Sequence, residues 1–409
     1  MDVAQAIAPT SPKKFTSKTK GKEERVNWCH FEALMPGRSH FPVHRELPAD
    51  FLSASMAMQP QRPIEIPENA ERICCRFAMA VESEEERKTG WAHEIRRRRR
   101  RLRGWKDCVK PLRPERKENK VVVDNLFDTR KLDEELDGWL RAAGLTKSPD
   151  VRAVIAPHAG YSYSGRCAAY AFGNIDPTNI SRVFLLGPSH HYYTPKCALT
   201  RATIYSTPIG DLPVDHEVIE ELNATGKFDF MDLSVDEAEH SMEMHLPYLS
   251  KVFQGHNVKV VPILVGALNS QNEAMYGQLL SKYLDDPKNF FSISSDFCHW
   301  GTRFSYTYYD KSHGAIHKSI EALDRMGMEI IETGNPDAFK QYLQEYENTI
   351  CGRHPISVFL SMLKHCSTKI KIGFVRYEQS SQCKSMRDSS VSYASAAAKV
   401  DTPAEEEKD

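Results

Sequence analysis

Short apolar runs alternate with helical patterns from Val121 onward, and this alternation most constrains the fold. Leu132, Leu136, Trp139 and Leu140 show the spacing of an amphipathic helix. The apolar runs predict buried strands at 151–156, 183–186, 258–265, 290–294 and 370–377. Helical patterns fall at 165–172, 215–224, 242–253, 273–284, 313–326, 336–346 and 355–363. Continuous apolar strands alternating with helices predict a single α/β layered domain. Its central sheet is mixed or mostly parallel and is flanked by helices.

The N-terminal part of the chain differs from this domain in charge and in texture. Residues 1–120 hold 26 Lys+Arg and 17 Asp+Glu, whereas the rest holds 28 and 38. Prolines recur in the first part without a sustained helical or strand period. We therefore predict a disordered basic, low-complexity extension over 1–120, a folded domain over 121–398 and an acidic tail over 399–409.

A run of arginines at 96–101 is the strongest local charge in this extension. We interpret it as a solvated segment, and the alternative is a binding site for RNA, acidic lipid or an import receptor. The folded domain is acidic and would repel phosphate, so nucleic acid is not an expected partner of that domain.

Neither a membrane span nor a disulfide scaffold is expected. The longest clean apolar stretch, 260–268, is far shorter than the roughly 20 residues that a spanning helix needs. The first thirty residues lack the apolar core of a secretory signal. Ten cysteines in 409 residues are sparse, which indicates free thiols in a reducing compartment. The predicted location is the cytoplasm, with the nucleus as a second location.

Three of the predicted strands lead directly into short turns that contain histidine. His158 follows the first strand, His190 and His191 follow the second, and Asp296 and His299 follow the fourth. In open α/β sheets the ligand crevice lies at the carboxyl ends of the strands. We therefore expect these side chains to share one pocket, although an isolated histidine after a strand is more often a hydrogen-bonded turn residue.

Two further segments carry polar groups that suit chemistry. Cys351 lies before a helix predicted to start at Pro355, and a thiol near a helix N-terminus has a lowered pKa. Taken alone, Cys351 fits a small buried side chain equally well. His240 and His245 are five residues apart, which is not the spacing of a zinc-protease pair, and we expect them to cap or pack a helix.

Such residues can form a metal site with open positions. Two histidines and one anionic ligand suit non-haem Fe(II), and a thiolate in place of a carboxylate shifts the preference toward copper or zinc. A histidine beside the metal that is not itself a ligand can act as an acid or base.

Seven motifs in order carry a resemblance to a known family. They are IAPHAGYSYSG, LLGPSHHYY, DEAEHSMEMHLPY, PILVGAL, SSDFCHWGTRF, NTICGRHPI and QSSQC followed by DSSVSYA. From about Leu132 to Ala398 the chain resembles the Memo family. That family has an α/β fold similar to the class III extradiol (LigB-type) non-haem iron dioxygenases. The resemblance implies a role in cell motility and cytoskeletal signalling downstream of receptor tyrosine kinases. It also implies binding of phosphotyrosine-containing receptor peptides or signalling proteins.

The resemblance assigns roles to six residues of this chain. It implies that His158, His190 and Cys351 bind one iron or copper ion, with Cys351 in the place of the dioxygenases' carboxylate ligand. His299 would be the acid/base histidine, with Asp296 as its orienting residue or as an extra ligand. Tyr163 would lie in the pocket that accepts the peptide.

One segment departs from the family pattern. Members usually open with a stretch like ASHAGSWY that gives a pocket His and Trp, whereas 121–129 here is VVVDNLFDT.

The sequence leaves two functional hypotheses from different classes of protein. One is a signalling protein that binds peptides in a dioxygenase-derived pocket. The other is a metal-dependent (iron or copper) oxidoreductase of the extradiol dioxygenase superfamily. A relic with an empty site is a third possibility.

Overall fold

The computed structural model describes residues 120–122 and 129–401, and the following account concerns these residues. The predicted basic extension, apart from Lys120, and most of the predicted acidic tail lie outside the described residues. The last strand continues to Val400, two residues past Ala398. Among the described helices, none combines the length and the apolar character that crossing a membrane would require.

The elements follow one another as short strands and longer helices. The strands are β1 (Lys120–Val122), β2 (Val151–Ala156), β3 (Arg182–Pro188), β4 (Cys197–Leu199), β5 (Ile204–Ser206), β6 (Asp211–Pro213), β7 (Asp229–Phe230), β8 (Lys259–Val265), β9 (Asn289–Ser294), β10 (His299–Trp300), β11 (Ile370–Gln379) and β12 (Ser390–Val400). The helices are α1 (Thr129–Ala143), α2 (Tyr161–Phe172), α3 (His216–Ala224), α4 (Leu233–Ala238), α5 (His240–Glu243), α6 (Leu246–Val252), α7 (Ser270–Asp285), α8 (Ile316–Glu332), α9 (Pro336–Tyr346) and α10 (Arg353–His365).

The main sheet has nine strands and is mixed, as predicted. Its centre is parallel in the order β2, β9, β3 and β8. On one side, β12 pairs antiparallel with β2, and both β10 and β11 pair antiparallel with β12. On the other side, β4 pairs antiparallel with β8, and β7 pairs parallel with β4 at the end of the sheet. A separate three-stranded sheet contains β1, β5 and β6. The four central strands are almost entirely buried, which explains their continuous apolar sequences.

Helices cover both faces of the main sheet. On one face Phe291 stacks on Phe184, which also packs against Tyr283 of α7. The next residue on the same strand, Ser292, instead bonds His245 just before α6. Because successive side chains of a strand point to opposite faces, α7 and α6 must lie on opposite sides of the sheet. The layered architecture predicted from the sequence is therefore confirmed.

Two elements differ from the sequence prediction. The helix expected over 242–253 is divided into α5 and α6, and Pro247 lies in the first turn of α6. Proline has no N–H to donate to the preceding turn, so a new helix begins there. The sequence predicts no strand after residue 377, yet β12 (Ser390–Val400) lies in the interior of the sheet. Small serines and alanines gave that strand no apolar signature, although nine of its residues are buried.

Candidate metal centre

Three neighbouring strands of the parallel centre bring the predicted histidines to one edge of the sheet. β2, β9 and β3 are adjacent and parallel, so their carboxyl ends lie side by side. His158 follows β2 and His190 follows β3, and their ring centroids are 5.1 Å apart. Ligand atoms of His158, His190 and Cys351 all lie within 4.8 Å of one another. The three residues to which the resemblance assigned a metal therefore form one cluster.

The imidazole of His158 is held in one tautomer. The hydroxyl of Ser294 donates to the carbonyl oxygen of Ser241 at 2.6 Å. Its single proton is thereby used, so Ser294 Oγ accepts from Nδ1–H of His158 at 2.7 Å. Nε2 then carries the lone pair, and it lies 3.1 Å from Sγ of Cys351. Burial, with the added effect of His190 and His240, lowers the pKa of His158 well below its ordinary value, so the ring stays neutral.

His190 is oriented by a carboxylate. Oε1 of Glu239 accepts from Nδ1 of His190 at 2.8 Å, and Oε2 accepts from the backbone N–H of the same residue at 2.7 Å. The Ser241 N–H also donates to Glu239 at 3.0 Å. Burial raises the pKa of Glu239, but the hydrogen bonds and charge of His190 outweigh it and hold that pKa at about 2. A carboxylate behind a ligating histidine is a common way to fix the tautomer and ring orientation.

Cys351 is positioned by the turn that follows β9. The N–H of Asp296 donates to Sγ of Cys351 at 3.2 Å. The next residue, Gly352, donates its N–H to the Ser295 hydroxyl, just before α10 begins at Arg353. The helix therefore starts two residues earlier than Pro355, and Cys351 lies two residues before its first residue. With His158 Nε2 as its neighbour, this sulfur is available as a soft anionic ligand.

Asp296 holds the turn that carries His158. Its Oδ1 accepts the N–H groups of His158 at 2.8 Å and Ala159 at 3.3 Å. Its Oδ2 is buried and has no hydrogen-bond partner among the described residues. Burial raises the pKa of Asp296 to about 7, against the opposing effect of those two N–H groups. A buried carboxylate oxygen without a partner is what a nearby cation would satisfy.

His299 is oriented by backbone carbonyls. Its Nδ1 lies 2.9 Å from the Phe297 oxygen and 3.0 Å from the Thr349 oxygen, so Nδ1 carries the proton and Nε2 the lone pair. Burial lowers the pKa of His299 to about 4, which leaves a neutral base at physiological pH. The resemblance gave Asp296 as the orienting residue, whereas the carboxylate of Asp296 contacts the His158 turn.

Tyr163 lies in the first turn of α2, five residues after His158, with 48% of its surface exposed. Close to His299, Arg303 lies over the ring of Phe304 at 4.4 Å, and Phe304 meets the His299 ring edge-on at 5.3 Å. Exposed or partly exposed aromatic groups and one guanidinium therefore lie near the buried histidines.

Glu239 and His240 belong to the site, although the sequence did not single them out as ligands. His240 begins α5, and its ring stacks on that of His190 with centroids 4.4 Å apart. His245, in contrast, packs as expected: it bonds Ser292 and the Ala156 carbonyl. The other histidines were identified because they follow predicted strands. No strand leads into residue 239, so that criterion did not apply to Glu239 and His240. The acid immediately before a histidine was the only available signal.

The donor set fits a transition metal. Two imidazole nitrogens with fixed lone pairs and one thiol sulfur can be ligands, and three protein ligands leave positions open for a small molecule. The thiolate makes the set softer than two histidines and a carboxylate, which favours copper or zinc over a plain Fe(II) site.

Comparison with known proteins agrees with the resemblance. The family model described as Memo-like protein matches residues 126–397. Protein MEMO1 of Xenopus laevis is 54% identical over 272 residues, covering 65% of this chain and 91% of that protein. Human protein MEMO1 is 51% identical over 275 residues, covering 66% and 92%. The memo-1 homolog of Caenorhabditis elegans is 47% identical over 271 residues, covering 65% and 77%. Because this family model matches more than half of the chain, the chain belongs to the Memo-like protein family.

Proposed function

We propose that the chain binds iron or copper through His158, His190 and Cys351 and uses the metal in redox chemistry. The observation that carries this proposal is the 3.1 Å approach of Cys351 Sγ to Nε2 of His158 within a three-residue cluster. Both histidines have a hydrogen-bonded Nδ1, which leaves each Nε2 as the nitrogen for a metal.

The chain's own residues divide the remaining work. When bound, the metal would supply a redox-active centre with open positions for a small molecule. Ser294 and Glu239 hold the ligand rings in place, and neutral His299 would accept a proton from a bound molecule. The cysteine ligand argues against simple ring cleavage, because a thiol can itself be oxidised.

Metal analysis tests this proposal directly. Untagged full-length protein is loaded anaerobically with Fe(II) or Cu(I), passed over a desalting column and assayed for bound metal. We expect Cys351→Ala to bind about one metal ion per chain fewer than wild type, because the variant lacks the sulfur ligand of this cluster. Cys366→Ala is the matched control, because this half-buried thiol bonds the carbonyl groups of Leu363 and Thr368 instead. Equal metal in Cys351→Ala and wild type would contradict the proposal.

The second candidate function is peptide recognition in cell motility and cytoskeletal signalling downstream of receptor tyrosine kinases. Membership of the Memo-like family supports it, as does the arrangement of exposed Tyr163 and of Arg303 over Phe304 near His299. A guanidinium beside aromatic faces suits an anionic aromatic group such as phosphotyrosine. In this proposal the protein acts in the cytoplasm, and its partners are receptor peptides or signalling proteins.

Fluorescence anisotropy with a phosphotyrosine peptide separates the two functions. We expect binding that needs the phosphate and weakens by roughly tenfold in Arg303→Ala, since a charge-assisted hydrogen bond contributes about 1.5 kcal/mol or more. Tyr193→Ala is the control, because Tyr193 is a more exposed tyrosine, 62%, in the loop after His191. Equal binding of the unphosphorylated peptide would rule out phosphotyrosine recognition, whatever the metal content.

A further inference from the structure

A second group of possible ligands lies next to the first and shares His190 with it. Ligand atoms of His190, Glu239 and His240 all lie within 4.8 Å of one another. Two imidazoles and a carboxylate form a harder donor set than the cluster with Cys351, one suited to Fe(II) or Zn(II). The chain thus brings together two different donor sets around one histidine.

The spacing around Glu239 suits coordination. With metal–ligand distances of about 2.1 Å, ligand atoms at right angles are about 3.0 Å apart and opposite ones about 4.2 Å apart. Nδ1 of His190 lies 2.8 Å from Oε1 of Glu239. Nδ1 of His240 lies 3.8 Å from the same oxygen, between the two limits. One cation can therefore reach all three groups with small side-chain adjustments.

The charge at Glu239 points the same way. Its carboxylate is 2% exposed, and its contacts are two backbone N–H groups and two imidazoles. Within the described part of the chain, its ion-pair partners are histidines and include no lysine or arginine. A buried ionised carboxylate attracts a cation strongly, because the protein interior screens the attraction far less than water does.

We propose that His190, Glu239 and His240 form a second divalent-cation site, adjacent to the Cys351 site and joined to it through the two nitrogens of His190. A cation bound there takes the place of the proton that His190 Nδ1 donates to Glu239, and that proton is released to solvent. Nε2 of His190 stays directed to the first site. The second site is filled by divalent iron or zinc. It needs His240, the ligand that is not part of the Cys351 site.

Equilibrium dialysis against Zn(II), which is redox-inert, tests the second site. Full-length, untagged protein is dialysed anaerobically at neutral pH with a competing chelator, and bound zinc is counted by atomic emission. We expect two zinc ions per wild-type chain, one in His240→Gln and one in Cys351→Ala. His191→Gln is the matched control, since His191 is an exposed neighbour of His240 outside the group, and it should keep two.

The pattern of loss separates this proposal from the preceding one. One zinc in wild type, kept in His240→Gln and lost in Cys351→Ala, would overturn the second site and leave the first. One zinc lost in His240→Gln and kept in Cys351→Ala would support the second site alone. No zinc in wild type, or equal stoichiometry in wild type and His240→Gln, would overturn the second site. Circular dichroism of each variant excludes unfolding as the cause.

Discussion

Sγ of Cys351 lies 3.1 Å from Nε2 of His158, and Ser294 fixes the lone pair on that nitrogen from the other side of the ring. The Ser294 proton is committed to the Ser241 carbonyl, so the serine can only accept from His158. A side chain on a buried strand thereby decides which histidine nitrogen meets the sulfur. In the proposed metal site, the orientation of the ligand His158 would therefore depend on a residue that does not itself touch the metal.

The first prediction removes this serine. In Ser294→Ala the Nδ1–H of His158 loses its acceptor, and the ring is free to change tautomer or to rotate. We expect metal affinity at the Cys351 cluster to fall roughly 10- to 100-fold, as for other partners of ligating histidines. Competition with a chelator of known affinity measures the change.

Ser292→Ala is a matched control on the same strand and face. Ser292 is also buried and also bonds a histidine, because Nε2–H of His245 donates to the Ala156 carbonyl and leaves Nδ1 to accept from the serine. Its loss should lower the free energy of unfolding by about 1–3 kcal/mol and leave metal affinity unchanged. Equal affinities of the two variants would show that Ser294 contributes only to stability.

The parts of this site that the sequence predicted are those that follow strands. The apolar runs before His158, His190 and Asp296 predict a strand in each case. They also predict that these residues lie at the edge of the sheet where the strands end. No strand leads to Cys351, which was a candidate because it precedes a predicted helix, and only the family resemblance grouped it with His158 and His190. The approach of Cys351 to His158 depends on how α10 packs against the sheet. The local sequence around Cys351 does not predict that packing.

Two other features were missed for related reasons. β12 consists of small residues whose burial comes from its neighbours in the sheet, so no apolar pattern marked it. Ser294 was predicted as strand, correctly, but its hydrogen bond to His158 joins residues 136 apart in the chain. Contacts at such separation are set by strand order, which the sequence alone did not give.

The second prediction concerns the glycine that follows the ligand. A Cβ at Gly352 would overlap Cβ of Ser295 and lie 2.5 Å from the Ser294 carbonyl oxygen. Gly352→Ala should therefore push the Cys351 turn away from β9, lower the free energy of unfolding by about 1–3 kcal/mol and reduce metal binding. Thermal unfolding and metal analysis measure the two effects.

Gly160→Ala tests whether any alanine near the site has this effect. Gly160 lies two residues after His158, and a Cβ there would meet no heavy atom within 4 Å. Its φ of −53° suits alanine as well as glycine. We expect unchanged metal binding and a stability within about 0.5 kcal/mol of wild type. Similar losses in both variants would refute the proposed role of the tight turn at Gly352.

The third prediction concerns Asp296, whose buried Oδ2 lacks a hydrogen-bond partner among the described residues. In Asp296→Asn the amide oxygen can still accept the N–H groups of His158 and Ala159. The pKa of about 7 means that ionisation of this carboxyl is costly in the metal-free chain. At pH 8 the metal-free variant should be at least as stable as wild type in urea unfolding, and a clear loss of stability would contradict this.

The last prediction is a pH dependence at Asp324, a buried carboxyl that is not one of the proposed metal ligands. Asp324 is fully buried, and burial raises its pKa from 3.8 to about 6, despite hydrogen bonds from Asn348, Tyr377 and the Cys298 N–H. The folded carboxyl therefore binds a proton more tightly than the unfolded one. Its contribution to stability is fully present below pH 3.8 and is lost as pH rises through 6.

Asp324→Asn removes this titration while keeping an oxygen for the Asn348 and Cys298 donors. The free energy of unfolding of the variant minus that of wild type should rise by roughly 2 kcal/mol between pH 4 and pH 7. Urea unfolding of both proteins at several pH values gives this difference, in which the other titrating groups largely cancel. A difference that stays constant with pH would mean that Asp324 titrates alike in the folded and unfolded chain. The cost of burying its charge would then be offset by its hydrogen-bond donors, which also include Ser392.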